Sequence, residues 1–233
     1  MDPDVTESTA RANTLEFRTL DSDQRLRFAH FRAVVVGYTG RDEAAIRRHI
    51  DELAAIGVAP PPEVPMFYLV EQHTMSTSTT FSFRGTNTSG EVEPVILRCD
   101  GKYFLGVGSD HTDRDLETVD IGDSKRACPK PIGPVVAQIP DWESFDWDRC
   151  RARSWVDGRL YQDGSLAGLR TPTDLLATFG QRLGDDGDDL ICFAGTLPVL
   201  DGMFTPGGRW DLELTLPSGQ TLSHTYFITT EGI

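Results

Sequence analysis

Positive charge, cysteine and long apolar runs are all scarce in this sequence. Twenty-two Lys and Arg stand against 36 Asp and Glu, a formal net charge of −14. Nonspecific nucleic-acid affinity comes from neutralising phosphates with clustered Lys and Arg, which are missing here, so the composition argues against a nucleic-acid partner. The same acidic field repels anionic lipid, and no stretch approaches the roughly 18 apolar residues of a membrane span. The four cysteines, Cys99, Cys128, Cys150 and Cys192, form no Cys-x-x-Cys pair and have no His at zinc-finger spacing. They read as reduced structural thiols. Met1 to Asn13 is polar and partly acidic, without the basic and apolar regions of a signal peptide, so the expectation is a cytoplasmic protein with a loose tail over residues 1–13.

What remains is ordinary globular material: 233 residues, 39% hydrophobic and 9% aromatic, enough for one domain with a sizeable core. Alternation over Leu15 to Leu20 and the run through Val34, Val35 and Val36 predict strands, the second closed by Gly37-Tyr38-Thr39-Gly40. A helix is expected over Glu43 to Ile56, with Thr39 or Asp42 as cap, Ala45, Ile46, Ile50, Leu53 and Ala54 as its apolar face, and Gly57 as its stop. Beyond Pro65 short strands dominate, at Met66 to Val70, Thr80 to Phe83, Glu91 to Arg98, Tyr103 to Val107, Val135 to Ile139, Arg151 to Val156, Leu190 to Ala194, Arg209 to Leu216 and Thr221 to Ile228. One helix, about Thr173 to Gly180, interrupts them. Few strand–helix–strand units occur, so the expected class is α+β and mainly β, a mixed β-sandwich or roll. The acidic run Asp185 to Asp189 lacks the terminal Glu and flanking helices of an EF-hand and reads as a solvated turn.

Two groups of residues could carry chemistry. Glu91 and Glu93, two apart on a strand, share a face, and a hairpin through Asp100-Gly101 would deliver Asp110 beside them. Three carboxylates brought together suit a hard divalent ion, although a Glu-x-Glu strand facing water has the same spacing. His49 and Glu52, at i and i+3 on the predicted helix, could serve as a base with its orienting carboxylate or be an ordinary exposed pair. His30, His73 and His224 have no such partner, and His111 should point away from Asp110 on an extended segment.

The order of these pieces resembles the fumarylacetoacetate hydrolase superfamily, which includes acylpyruvate hydrolases and oxaloacetate decarboxylases. Gly108-Ser109-Asp110-His111-Thr112-Asp113-Arg114-Asp115-Leu116-Glu117 is similar to its Asn-Asp-x-Ser-Ala-Arg-Asp-x-Gln segment. Ser124-Lys125, followed by Cys128-Pro129-Lys130-Pro131-Ile132-Gly133-Pro134, resembles its Lys-Ser-Phe and Pro-x-Gly-Pro segment. Val156-Asp157-Gly158 through Gln162-Asp163-Gly164 resembles a Val-Asn-Gly hairpin, Ala194-Gly195-Thr196 a Thr-Gly-Thr-Pro strand end, and His49-Ile50-Asp51-Glu52 a His-x-x-Glu helix. The likeness spans roughly Val34 to Ile228.

The resemblance implies a small N-terminal strand and helix lid region over residues 14–64 and a metal-binding β-roll over 65–233. It implies Mg²⁺ or Mn²⁺ held by Glu91, Glu93 and Asp110, catalytic roles for His49, Glu52 and Lys125, and substrate contacts from Arg114, Gln162 and Thr196. The implied activity is hydrolysis or decarboxylation that cleaves a C–C bond of a small 2-oxo or β-dicarbonyl substrate through a metal-bound enolate, in a homodimer. An isomerase, hydratase or cyclase using the same site, and a catalytically silent binding protein, are the alternatives. Three departures bear on the pocket. Val70-Glu71 stands where the family often has Lys-Pro, Glu117 where Gln is usual, and Leu197 where Pro follows Gly-Thr.

Overall fold

A computed structural model describes residues 14–22, 24–55, 59–83 and 86–230. The tail expected over 1–13 and the helix stop at Ile56 and Gly57 lie outside the described residues. Alternation builds the first strands. β1 (Leu15–Thr19) buries Leu15, Phe17 and Thr19, and β2 (Arg25–Phe28), too short and too basic for its pattern to announce a strand, pairs with it antiparallel and buries Leu26 and Phe28. In β3 (Arg32–Gly37) Ala33 to Val36 are all buried, the pattern of a strand covered on both faces. α1 (Glu43–Ala55) starts where the Asp42 carboxylate accepts from the Ala45 amide at 3.0 Å, and it half-buries Ala45, Ile46 and Ile50. Ala54, expected on the apolar face, is exposed.

β4 (Met66–Val70) runs antiparallel to β3, followed by β5 (Met75–Ser76), β6 (Thr80–Phe83) and β7 (Thr88–Ser89). β8 (Val92–Cys99) and β9 (Lys102–Ser109) form the expected hairpin, turning through Asp100 and Gly101, both at positive φ. After β10 (Thr112–Asp113) come two short helices that apolar periodicity is too brief to reveal. These are α2 (Arg114–Glu117), capped by Asp113, and α3 (Ile121–Ala127), capped by Asp120. The chain continues through β11 (Lys130–Pro131), β12 (Val135–Gln138), β13 (Arg151–Val156), β14 (Arg159–Ser165), α4 (Pro172–Leu183), β15 (Leu190–Phe193), β16 (Arg209–Thr215) and β17 (Thr221–Thr230).

Eight strands form a mixed sheet in the order β2-β1-β12-β9-β8-β15-β3-β4, and five form a second sheet in the order β14-β13-β16-β17-β6. Residues from both sheets share one core, with Val34, Val36, Ile96, Leu105 and Val107 meeting Ala152, Trp210, Leu212, Leu214 and Tyr226. The other face of the large sheet buries Phe17, Phe28, Val35, Val95, Leu97, Phe104 and Phe193. Each such side chain contributes about 1.5–3 kcal/mol on burial, so the two clusters hold the sheets in register. The architecture is α+β and mainly β, as expected. Because β1, β2 and β3 belong to the same sheet as β8 and β9, a boundary at residue 64 passes through one continuous sheet, and only α1 stands outside it.

All four cysteines are buried and unpaired, and burial pushes the Cys99 and Cys128 thiols up to about 11, which keeps them protonated and inert. Among the described residues no helix is long and apolar enough to cross a membrane.

Candidate metal centre

Strand direction gathers the site. β15 runs parallel to β3 and antiparallel to β8, which is antiparallel to β9, so the ends of β3, β9 and β15 and the start of β8 lie at one edge of the sheet. From that edge project Tyr38 after β3, Glu91 and Glu93 at the start of β8, Asp110 after β9, and Gly195-Thr196 after β15. The register pairs Val92 with Ser109 and Glu93 with Gly108, and the Asp110 amide donates to the Glu91 carbonyl at 3.0 Å. The hairpin thus brings the three together: carboxylate oxygens of Glu91, Glu93 and Asp110 all lie within 4.8 Å of one another.

Two further segments fix these carboxylates. The Gly195 amide donates to Glu93 Oε2 at 2.9 Å. Gly195 adopts φ +98°, and a Cβ there would stand 1.7 Å from Thr39 Oγ1, so both the backbone angle and the close approach require glycine. Arg114 is buried, its Nε donating to Ser89 Oγ at 2.7 Å, its Nη1 to Glu117 at 2.7 Å, and its Nη2 lying 3.4 Å from Glu91. It therefore anchors Glu91 to α2, and the Phe204 ring covers its guanidinium at 3.5 Å.

Asp110 is fully buried between two lysines. Lys125 Nζ donates to Oδ2, and Lys130 Nζ lies 2.9 Å from Oδ1 while donating to the His111 carbonyl at 2.6 Å. Burial alone would raise its carboxyl, but the two ammonium groups outweigh that and hold it below the usual carboxylate range. Glu91 is raised by burial against the opposing pull of Arg114, and Glu93 is raised further by burial and by the Asp110 charge. Lys125 is held up, because Asp110, Glu91 and Glu93 together outweigh its burial.

The cleft in front of this cluster has a volume of about 600 Å³, and its walls include the start of α1, Tyr38, Tyr68, Lys125 and the segment from Gly195 to Phe204. Burial pushes the Tyr68 hydroxyl up to about 12 and raises that of Tyr38, so both remain protonated donors at neutral pH. Gly37 makes room for the Tyr68 ring, whose Cε2 would stand 3.1 Å from a Cβ at that position.

Of the other expected residues, Thr196 lines the cleft, its hydroxyl donating to the Val92 carbonyl at 2.8 Å and accepting from Gln162 Nε2 at 2.9 Å. Gln162 is not among the residues that line the cleft. It is fully buried, its Nε2 also donates to the Leu197 carbonyl at 2.6 Å, and its Oε1 accepts from the Val92 amide and Ser154 Oγ at 2.8 and 2.9 Å. All four amide valences are spent tying β14 to β8 and Thr196. Arg114 gives Nε and Nη1 to protein groups, while its buried Nη2 makes no hydrogen bond among the described residues and stands 3.4 Å from Glu91. Glu52 is exposed on α1 and outside the cleft wall, and the His49 side chain lies outside the described residues.

Lys130, Tyr38, Tyr68 and Phe204 join the site without any local spacing that announces them. His111 does point away from Asp110. Its Nδ1 lies 3.0 Å from the Tyr226 hydroxyl and its Nε2 3.0 Å from Thr88 Oγ1, and burial lowers it to about 3, so it is a neutral part of the core.

A family model described as protein of unknown function, DUF2848, matches residues 36–226. No curated protein matches the chain in sequence. Among solved structures, a protein described as a fumarylacetoacetate isomerase/hydrolase from Oleispira antarctica superposes with TM-score 0.65 at 16% identity, covering 92% of this chain and 99% of its own. Fumarylpyruvate hydrolase from Pseudomonas aeruginosa, solved with Mn²⁺ and pyruvate, gives TM-score 0.61 at 18% identity over 94% and 97%. 5-Carboxymethyl-2-hydroxymuconate delta-isomerase from Mycobacterium smegmatis gives 0.56 at 16% over 87% and 80%. At these identities the likeness is one of fold.

Proposed function

Because this chain belongs to the DUF2848 family and has the fold of the fumarylacetoacetate hydrolase superfamily, we propose that it is a divalent-metal-dependent hydrolase or lyase that cleaves a C–C bond of a 2-oxo or β-dicarbonyl compound. The observation that carries this reading is the convergence of Glu91, Glu93 and Asp110 within 4.8 Å at the base of the cleft. Their all-oxygen donor set fits Mg²⁺ or Mn²⁺, whose octahedral ligands stand about 2.1 Å from the ion and hence up to about 4.2 Å apart. Burial of Glu93 and Asp110 and half-burial of Glu91 add to the fit, since desolvated anions crowded together are relieved by a cation. Bound there, the ion would supply Lewis acidity to the oxygens of a 2-oxo acid.

The chain's own groups do the rest. Gly195 and Arg114 hold Glu93 and Glu91 in place. Lys125, charged and beside Asp110, stabilises negative charge that develops on substrate oxygens, and the Tyr68 ring lies 5.8 Å from its ammonium. Thr196, oriented by Gln162, can accept one hydrogen bond from the substrate. On the resemblance alone, His49 and Glu52 are the proposed pair for activating water or moving the proton to carbon, with Glu52 exposed on α1 outside the cleft wall. The homodimer implied by the resemblance belongs to the same proposal, and light scattering at twice the chain mass would bear it out.

The experiment is a panel of acylpyruvates and oxaloacetate offered to Mn²⁺-loaded protein, with products read by mass. Products lighter than substrate, lost in Glu93→Gln, support cleavage. Products of unchanged mass make it an isomerase or cyclase, and no turnover of any substrate contradicts the proposal.

A further inference from the structure

We infer that the substrate carries an uncharged, apolar tail, aryl or branched alkyl, beyond its 2-oxo carboxylate head; the inference rests on the proposed function and narrows it. The lining of the cleft is of two kinds. Around the base stand Glu91, Glu93 and Lys125, whereas much of the remaining wall is Val36, Ile46, Leu169, Leu197, Val199 and Phe204.

A second carboxylate on the tail would meet no free cation there, and the donors of that wall, the Tyr38 and Tyr68 hydroxyls, are neutral. Among the described lining residues Lys125 is the single Lys or Arg, and it stands at the base beside Asp110, where the head would bind. The nearby Arg114 guanidinium lies under the Phe204 ring and is paired with Glu91 and Glu117. The other charged groups of the wall, Asp42 and Glu117, are acidic and would repel such a tail. The positive end of α1 also faces the cleft, but Asp42 closes it by accepting from the Ala45 amide at 3.0 Å. A carboxylate against this apolar lining would be desolvated without a countercharge, while a hydrocarbon tail would bury apolar surface on both sides. The volume of about 600 Å³ leaves ample room beyond a three-carbon head.

The test is calorimetry of Mn²⁺-loaded protein with three probes: oxalate, 2-oxo-4-phenylbutanoate and 2-oxoglutarate. Oxalate reports the head site alone, and the other two share a head and differ in the tail. The expected result is oxalate binding together with at least ten-fold tighter binding of 2-oxo-4-phenylbutanoate than of 2-oxoglutarate. Ile46→Arg and Val199→Arg, both at half-buried positions, should each reduce that ratio by about ten-fold or more. If oxalate binds but 2-oxoglutarate equals or exceeds the phenyl probe, the inference is overturned while the metal site stands. A ratio unmoved in both variants likewise overturns the assigned wall, and failure of all three probes to bind removes the proposed function and this inference together.

Discussion

Lys130, fully buried, holds its ammonium 2.9 Å from one oxygen of Asp110 while Lys125 occupies the other, so one carboxylate is shared by two cations. A buried ion pair adds little net stability, but deleting one partner strands the other in a medium that solvates it poorly. Lys130→Met should therefore cost on the order of 3–5 kcal/mol in urea unfolding. The double variant Asp110→Asn with Lys130→Met should cost clearly less than the sum of the single changes. Strict additivity would show that the two groups are not energetically coupled.

Lys125 has a different consequence, because its charge lies against the same carboxylate that a divalent ion would use. Two like charges about 4 Å apart repel by several kcal/mol even at an effective dielectric constant near 20. Lys125→Met is expected to tighten Mn²⁺ binding by roughly ten-fold or more while lowering turnover. Weaker Mn²⁺ binding in this variant would contradict the assignment of Lys125 as a competitor for Asp110.

How much of the site is legible in the sequence follows from the range of the interactions. The β8–β9 hairpin is local and its turn is signalled by Asp100-Gly101, so the meeting of Glu91, Glu93 and Asp110 is suggested by spacing, although the same spacing fits a Glu pair facing water. Gly195 is visible there only as part of a motif. Its need for glycine comes from Thr39, 156 positions away, and no local pattern reports that contact. Gln162 falls to the substrate in the sequence because the resemblance places it near the cleft. Its four hydrogen bonds depend on β8, β13 and the segment after β15, which sequence spacing does not bring together. Lys130 is visible only inside the Cys128-to-Pro134 motif, and its burial stays hidden because a lysine between two prolines ordinarily faces water.

Gly195→Ala tests the link between backbone and metal site. The added Cβ would collide with Thr39 and favour an angle other than φ +98°, shifting the amide that donates to Glu93. The variant should lose about 1–3 kcal/mol of stability and bind Mn²⁺ at least ten-fold more weakly. Unchanged Mn²⁺ affinity would show that Gly195 does not position Glu93.

Acid should weaken the fold through His224, which is buried on β17 and stacked on Tyr226 with ring centroids 6.1 Å apart. Burial lowers its affinity for protons, against a smaller opposing hydrogen bond involving the Ser78 backbone. The unfolded chain takes up that proton near pH 6.5 and the folded chain does not. The stability due to neutral His224 is thus fully present above about pH 6.5 and is lost as pH falls below it. His224→Phe keeps a stacked ring without the titration. Its Tm relative to the parent should rise as pH is lowered from 7.5 to 5.0, and parallel curves would contradict the mechanism.

The most direct test of the metal centre is a thermal-shift titration of chelator-treated protein with Mn²⁺, run beside Glu93→Gln. At about 100 times its dissociation constant, an ion bound only by the folded chain adds roughly 2.7 kcal/mol, which for a domain of this size raises Tm by about 5–10 °C. The parent should show that rise, with a further rise when oxalate is added, and Glu93→Gln should show neither. A parent Tm indifferent to Mn²⁺, or an equal rise in Glu93→Gln, would contradict a metal site built on Glu91, Glu93 and Asp110.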